Sequence, residues 1–270
     1  MMVCLARLLW SILARGGGAA ADGAAAAARL NACAPRWKRA PPHYTSAVYS
    51  ARHRFIYFVN YKAGTTAIQQ RLESVFERSL HVTDLAFPTA FRAGGTCKRD
   101  HKYTSGCFSY RDTRGFAKWS VARDPVAKFE SGTRQAWIHS PDLRNYTADD
   151  LLHKTLDDGA FADIHLEPST YAMTGTRRGD KAAENLTFVA KLESLDADWR
   201  AVVDAIRPAS VSADQRAALL APLPSVNARP SVARSRLSPG AVRRMCASDA
   251  YGDEWRCLGY DLPDVCKAPG

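Results

Sequence analysis

None of the seven cysteines forms a C-x-x-C pair, which argues against a zinc ribbon or a thioredoxin-type redox site. There is no G-x-x-x-x-G-K-[ST] run, so an ordinary kinase or GTPase phosphate loop is excluded. No internal repeat and no evident metal-ligand cluster is present. The apolar stretch Val3 to Ala14 is broken by Arg7 and is too short to be read as a membrane span. Acid is scarce at the start of the chain: residues 1–40 hold six Lys/Arg (Arg7, Arg15, Arg29, Arg36, Lys38, Arg39) against Asp22 alone.

What is there is a globular composition. Over 270 residues, 46% hydrophobic and 24% charged content excludes disorder throughout and allows one sizeable α/β domain with or without a tail. The formal net charge is +10, and the first forty residues carry half of it, leaving a mildly basic body that suits an anionic ligand or a solvated basic face. Cys97 and Cys107 flank a short polar loop, and Cys246, Cys257 and Cys266 crowd the C-terminus, so disulfides are available in an oxidising compartment. Two N-x-[ST] sequons, at Asn145 and Asn185, lean the same way.

Residues 1–40 read as a targeting or tether segment and 41–270 as the folded domain. Val3 to Ala14 suits the apolar core of a signal peptide or a short signal anchor, and so a membrane tether. The Arg- and Ala-rich composition also fits an organelle transit peptide. Gly16 to Ala28 is low complexity and is expected to be flexible. The sequons and cysteines put the secretory route and the Golgi lumen first.

The most informative stretch is Phe55 to Phe76, FIYFVNYKAGTTAIQQRLESVF. Phe55 to Val59 is a short aromatic and β-branched run that predicts a buried strand. A polar loop from Asn60 to Thr66 follows, then apolar residues at helical spacing: Ile68, Leu72, Val75 and Phe76. A helix that starts just after a glycine-containing loop offers unpaired N–H groups and the positive end of its dipole to a phosphate or sulfate. Lys62 adds a charge, and Thr65 and Thr66 add hydroxyl donors.

A second junction of this kind lies downstream. Lys118 to Ala122 predicts a buried strand that runs into Arg123-Asp124-Pro125, where Asp124 suits a helix N-cap and Pro125 the first helical position. Between the two junctions, His81 to Phe116 reads as a long loop region, with Lys98, Arg99, His101 and Lys102 available to an acidic substrate. Thr147 to Asp150 and Ser212 to Gln215 read as capping boxes. Phe161 to Pro168 reads as a loop containing His165. Thr187 to Ala190 predicts a third strand, ending at Lys191, with an amphipathic helix from Leu195 to Ile206. Ser238-Pro239 starts a last helix, and Tyr251 to Gly270 reads as an irregular tail. Strands alternating with helices predict a central parallel sheet flanked by helices, with ligands beyond the carboxyl ends of the strands. Lys62, Arg123 and Lys191 each follow a predicted strand and so share one rim.

The pair Lys62-Ala63-Gly64-Thr65-Thr66 and Arg123-Asp124-Pro125, with Ser131 eight residues beyond the arginine, resembles the carbohydrate sulfotransferases that use 3′-phosphoadenosine 5′-phosphosulfate. In that superfamily the first element binds the 5′-phosphosulfate and the second the 3′-phosphate. His165-Leu166-Glu167-Pro168 is similar to the H-W-x-P element of the Golgi enzymes, and Val189-Ala190-Lys191-Leu192-Glu193-Ser194-Leu195 to their G-K-x-E-x-L element. Order and rough spacing agree from about Phe55 to Ile206. Tyr61, Leu166 and Glu167 depart from the family pattern, as does the absence of the cysteine pair that often follows H-W-x-P.

The resemblance implies a single-domain, P-loop-NTPase-like sulfotransferase fold. It also implies transfer of a sulfuryl group from 3′-phosphoadenosine 5′-phosphosulfate to a hydroxyl acceptor, a carbohydrate or a small alcohol, with no metal and no nucleic acid. The implied donor site is Lys62, Ala63, Gly64, Thr65, Thr66, Arg123 and Ser131. Lys62 would stabilise the leaving phosphate, and His165, then Glu193, are the candidates for general base, with His101 and His139 behind them. Two other readings stay open on sequence: a small-molecule kinase that binds nucleotide with Mg²⁺, and a non-catalytic relative that binds anionic glycans or membranes through its basic face.

Overall fold

The computed structural model describes residues 17–33, 44–76, 81–86, 115–174, 186–206, 211–224 and 232–267. Its centre is one open sheet of five strands in the order β3-β1-β2-β4-β5. The strands are β1 (Tyr44–Ser50), β2 (Phe55–Phe58), β3 (His81–Ala86), β4 (Ala117–Ala122) and β5 (Phe188–Lys191). β2, β4 and β5 pair in parallel, as the three apolar runs predict. β1 pairs antiparallel with both β2 and β3, so it alone runs against the others. The expectation of a wholly parallel sheet is corrected here. Tyr44–Ser50 is joined to Phe55 by only the four-residue turn Ala51 to Arg54, and a connection this short allows only a hairpin. The stretch read as a loop from His81 also starts with a strand, β3. Residues 87–114 lie outside the described residues, and with them Cys97, Cys107, Lys98, Arg99, His101 and Lys102.

The sheet is covered on both faces. Phe55 and Tyr57 of β2, Trp119 and Val121 of β4, and Phe188 and Ala190 of β5 form one core with Ile68, Leu72, Trp199, Val202 and Leu219. These last residues come from α2 (Thr65–Phe76), α6 (Leu195–Ala205) and α7 (Ala213–Leu220). The intervening strand residues Ala122 and Val189 point the other way, into a cluster with Ala26, Ala27, Leu30 and Leu258. Alternation with period two is why each buried strand feeds two cores.

That second cluster changes the reading of the N-terminal segment. Gly17–Ala32 forms a helix, α1, packed against β5, α6 and α9 (Gly252–Leu258). A Cys33–Cys257 disulfide ties its end to α9. The stretch expected to be flexible is therefore structured from Gly17. Alanine is the strongest helix former, and its small side chain lets the helix sit close to the edge strand. Residues 1–16 lie outside the described residues, and their targeting role stays a proposal. The expected irregular tail is also corrected: α9 buries Trp255, Cys257 and Leu258, and a Cys246–Cys266 disulfide follows. Among the described residues, no helix is long and apolar enough to cross a membrane.

The remaining helices are α3 (Pro125–His139), α4 (Ala148–Asp158), α5 (Ser169–Thr174) and α8 (Pro239–Ala247). The expected caps form. The Asp124 side chain accepts from Ala127 N, and Thr147–Asp150 and Ser212–Gln215 are complete capping boxes. Asn145, the described sequon asparagine, is exposed.

Candidate functional site

The loop between β2 and α2 is set by backbone conformations that its sequence makes affordable. Lys62 has φ 67° and Gly64 φ 76°, both left-handed. Glycine adopts this freely, whereas lysine does so at a cost of about 1–2 kcal/mol. Gly64 is doubly required, because a Cβ there would meet Leu192 Cδ1 at 2.9 Å. The Asn60 carbonyl accepts from Ala63 N at 3.2 Å and from Thr65 Oγ1 at 2.7 Å. Asn60 Nδ2 donates to Val121 O at 2.8 Å, which ties the loop to β4. The loop delivers Thr65 as the first residue of α2, whose first turn carries no acidic side chain. The N-terminal N–H groups of α2 and their dipole thus point out of the sheet rim beside Lys62.

Arg123 stands at the end of the neighbouring parallel strand, β4, and its Nη1 donates to Lys62 O at 3.0 Å. Burial draws the guanidinium below its ordinary value, while the charge of Glu193 works against that shift. An arginine still has donors left after one such bond. Ser131, Gln135 and His139 follow at i, i+4 and i+8 along α3, so they form one ridge. Gln135 Oε1 accepts from Lys62 Nζ at 3.3 Å, which places that ridge against the loop. Ser131 itself is buried.

The next turn of the ridge meets His165. His165 sits in a 3₁₀ turn, Ile164–Leu166, rather than in open loop, and is 7% exposed. Its ring packs edge-on against His139 at 4.7 Å and Tyr61 at 5.0 Å between centroids. Its Nδ1 lies 2.6 Å from Asp163 Oδ1, and its backbone N donates to the same oxygen at 2.8 Å. Burial works to raise the Asp163 carboxyl. The hydrogen bonds from His165, with the charges of His165 and His139, outweigh burial and hold it below its ordinary value. The contact of α3 with this turn depends on Gly132, where a Cβ would overlap the His165 carbonyl oxygen. One turn earlier in α3, the buried Lys128 donates to the Glu167 carbonyl.

Lys62 and Arg123 are thus brought together with the loop residues Ala63, Gly64, Thr65 and Thr66, His165 packs against Tyr61 and His139 beside them, and Ser131 lies one turn before Gln135 on the same ridge. Two other expected residues are engaged elsewhere. Lys191 ends β5 on the same rim, but its ammonium donates to Gly259 O at 2.6 Å and lies 4.3 Å from the Tyr260 ring centroid. Glu193 accepts from Asp124 N and from Tyr260 OH, each at 2.8 Å. Both carboxylate oxygens therefore strap the start of α3 to the residues after α9.

Sequence reasoning missed Gln135 and Asp163, and ranked His139 below His165 and Glu193. Asp163-Ile164-His165 carried a signal, an acid two residues before a histidine, but that pattern is common. His139, Asp163 and His165 can each offer one ligand atom, all within 4.8 Å of one another, a set able to hold a divalent cation with positions left open. As they stand, two of the three bond each other, which suits proton handling.

In comparisons with known proteins, no family model, no curated protein and no solved structure matched the chain.

Proposed function

We propose that the protein is a sulfotransferase that moves a sulfuryl group from 3′-phosphoadenosine 5′-phosphosulfate to a hydroxyl acceptor of the carbohydrate class. The observation that carries this reading is the Arg123–Lys62 contact. It joins two separate anion-binding elements at the ends of adjacent parallel strands, as a donor with two phosphate positions requires. The loop from Lys62 to Thr66 and the N-terminus of α2 would hold the 5′-phosphosulfate. Arg123, with Ser131, would hold the 3′-phosphate through charge-assisted bonds that a lysine reproduces poorly.

Sulfuryl transfer needs alignment and charge stabilisation more than covalent help from the protein. The acceptor oxygen bonds to sulfur as the bond from sulfur to the bridging phosphate oxygen breaks, and the electron pair leaves on that phosphate. Lys62 and the α2 N-terminus would stabilise this growing charge. The acceptor proton would pass to His165, which stands across the ridge from Lys62. Glu193, held at both oxygens, would brace Arg123 and the start of α3. The Cys33–Cys257 and Cys246–Cys266 disulfides and the exposed Asn145 support a place in the secretory pathway, which includes the Golgi lumen.

The test is transfer of labelled sulfate from the donor to a panel of glycans, phenols and small alcohols. Transfer to at least one hydroxyl class is expected, with loss in Lys62→Ala. Label that stays on the donor across the panel contradicts the reading.

A further inference from the structure

We propose that Asp163 is the positioning residue of His165, locking the imidazole with its proton on Nδ1 and its lone pair on Nε2. The chemical use of that lone pair, as proton acceptor from the hydroxyl substrate, rests on the sulfuryl-transfer reading. The placement of the proton rests on the hydrogen bonds alone.

The argument starts from donors and acceptors. Asp163 Oδ1 faces His165 Nδ1 at 2.6 Å and also accepts His165 N at 2.8 Å. An ionised carboxylate has no proton to give, so Nδ1 must be the donor. In the neutral ring this leaves Nε2 as the acceptor. The carboxylate is itself fixed, because it caps the 3₁₀ turn that carries His165. Rotation of the ring is opposed on two sides by His139 and Tyr61, at centroid distances of 4.7 Å and 5.0 Å. The backbone below is held by α3 through Gly132.

The same logic runs along the ridge. A lysine ammonium only donates, so Gln135 must turn its Oε1 to Lys62 and its Nε2 to His139. His139 Nε2, 2.8 Å from Gln135 Nε2, is then an acceptor, and the proton of a neutral His139 lies on Nδ1. Hydrogen bonds thus order Lys62, proposed to neutralise the leaving group, Gln135 and His139, and the His139 ring in turn packs edge-on against His165, proposed to take the proton. An ionised Asp163 would also stabilise the imidazolium formed when His165 accepts its proton.

The experiment has two arms. In the first, long-range ¹⁵N–¹H spectra of the full chain report the His165 tautomer, with His165→Gln giving the assignment. In the second, Asp163→Asn is compared with wild type for sulfate transfer, for calorimetric affinity toward 3′-phosphoadenosine 5′-phosphate, and for thermal unfolding. Expected are the Nδ1–H tautomer in wild type and a fall in transfer of about 100-fold, the scale of general-base assistance, with nucleotide affinity within twofold. A Nε2–H tautomer in wild type, or full transfer by Asp163→Asn, overturns the proposal. Should Asp163→Asn unfold, the wild-type tautomer decides. Should wild type bind no nucleotide, the sulfotransferase reading fails, while the tautomer still decides the role of Asp163 toward His165.

Discussion

Arg123 holds the carbonyl oxygen of Lys62 at 3.0 Å, and Lys62 is in the left-handed region at φ 67°. A non-glycine residue in that conformation persists only where its surroundings fix it, and such residues gather at functional sites. Arg123, proposed to hold the 3′-phosphate, therefore also shapes the loop proposed to hold the 5′-phosphosulfate.

Stability and activity should separate at Lys62. Both Lys62→Ala and Lys62→Gly remove the ammonium, so both should lose transfer. Only glycine relieves the left-handed strain, and Lys62→Gly should be more stable than Lys62→Ala by about 1 kcal/mol. Denaturant unfolding of the two variants measures the difference. Equal stability would mean that the loop relaxes once the side chain is gone.

Gly132→Ala should harm the site without touching any charged group. The added methyl overlaps the His165 backbone carbonyl, which cannot swing aside as a flexible side chain would. A loss of about 1–3 kcal/mol in stability is expected, as for other overpacked contacts, and transfer should fall with it. Unfolding and transfer assays on one preparation check both. A variant as stable and active as wild type would show that α3 does not rest on the His165 turn.

The parts legible in the sequence were those where composition and local pattern agree. Phe55 to Val59, Lys118 to Ala122 and Thr187 to Ala190 read as strands because each carries a short run of mostly buried apolar residues. Asp124-Pro125 marked the start of α3 unaided. β1 was missed because Tyr44–Ser50 mixes polar and aromatic residues, as a strand outside the parallel core can. α1 was missed because an Ala- and Gly-rich run resembles a linker until a partner surface is known. The pairing of Lys62 with Gln135 spans 73 residues, and nothing local records it. Glu193 read as the second candidate for general base because its partners, Asp124 N and Tyr260 OH, are tertiary and leave no local trace.

Stability should rise with pH above neutrality through Lys128. Burial pulls its ammonium down to about 8, against the charges of Glu254 and Glu167. An unfolded lysine titrates near 10.4, so between these values the unfolded chain binds more protons. The cost of burying the charge is fully present below pH 8 and is relieved as pH rises toward 10. Unfolding free energy should therefore climb there by up to about 1.4 kcal/mol per pH unit from this group. Lys128→Met should lack that climb. The same slope in wild type and variant between pH 8 and 9.5 would contradict it.

Metal chelation should leave transfer unchanged, whereas added zinc should inhibit it. Zinc binds deprotonated ligands, so seating it among His139, Asp163 and His165 would break the Asp163–His165 hydrogen bond or occupy the ring that takes the proton. Calorimetric zinc affinity should fall in His139→Ala. Transfer abolished by chelator and restored by zinc would instead make the cluster a working metal centre.

The most direct measurement is calorimetry of 3′-phosphoadenosine 5′-phosphate with wild type and with folded Arg123→Ala. Binding to wild type is expected, with affinity at least about tenfold weaker in Arg123→Ala, since truncating a buried charge pair costs about 2 kcal/mol or more. Equal affinity in the two proteins, or no binding to wild type, would contradict the two-phosphate donor site.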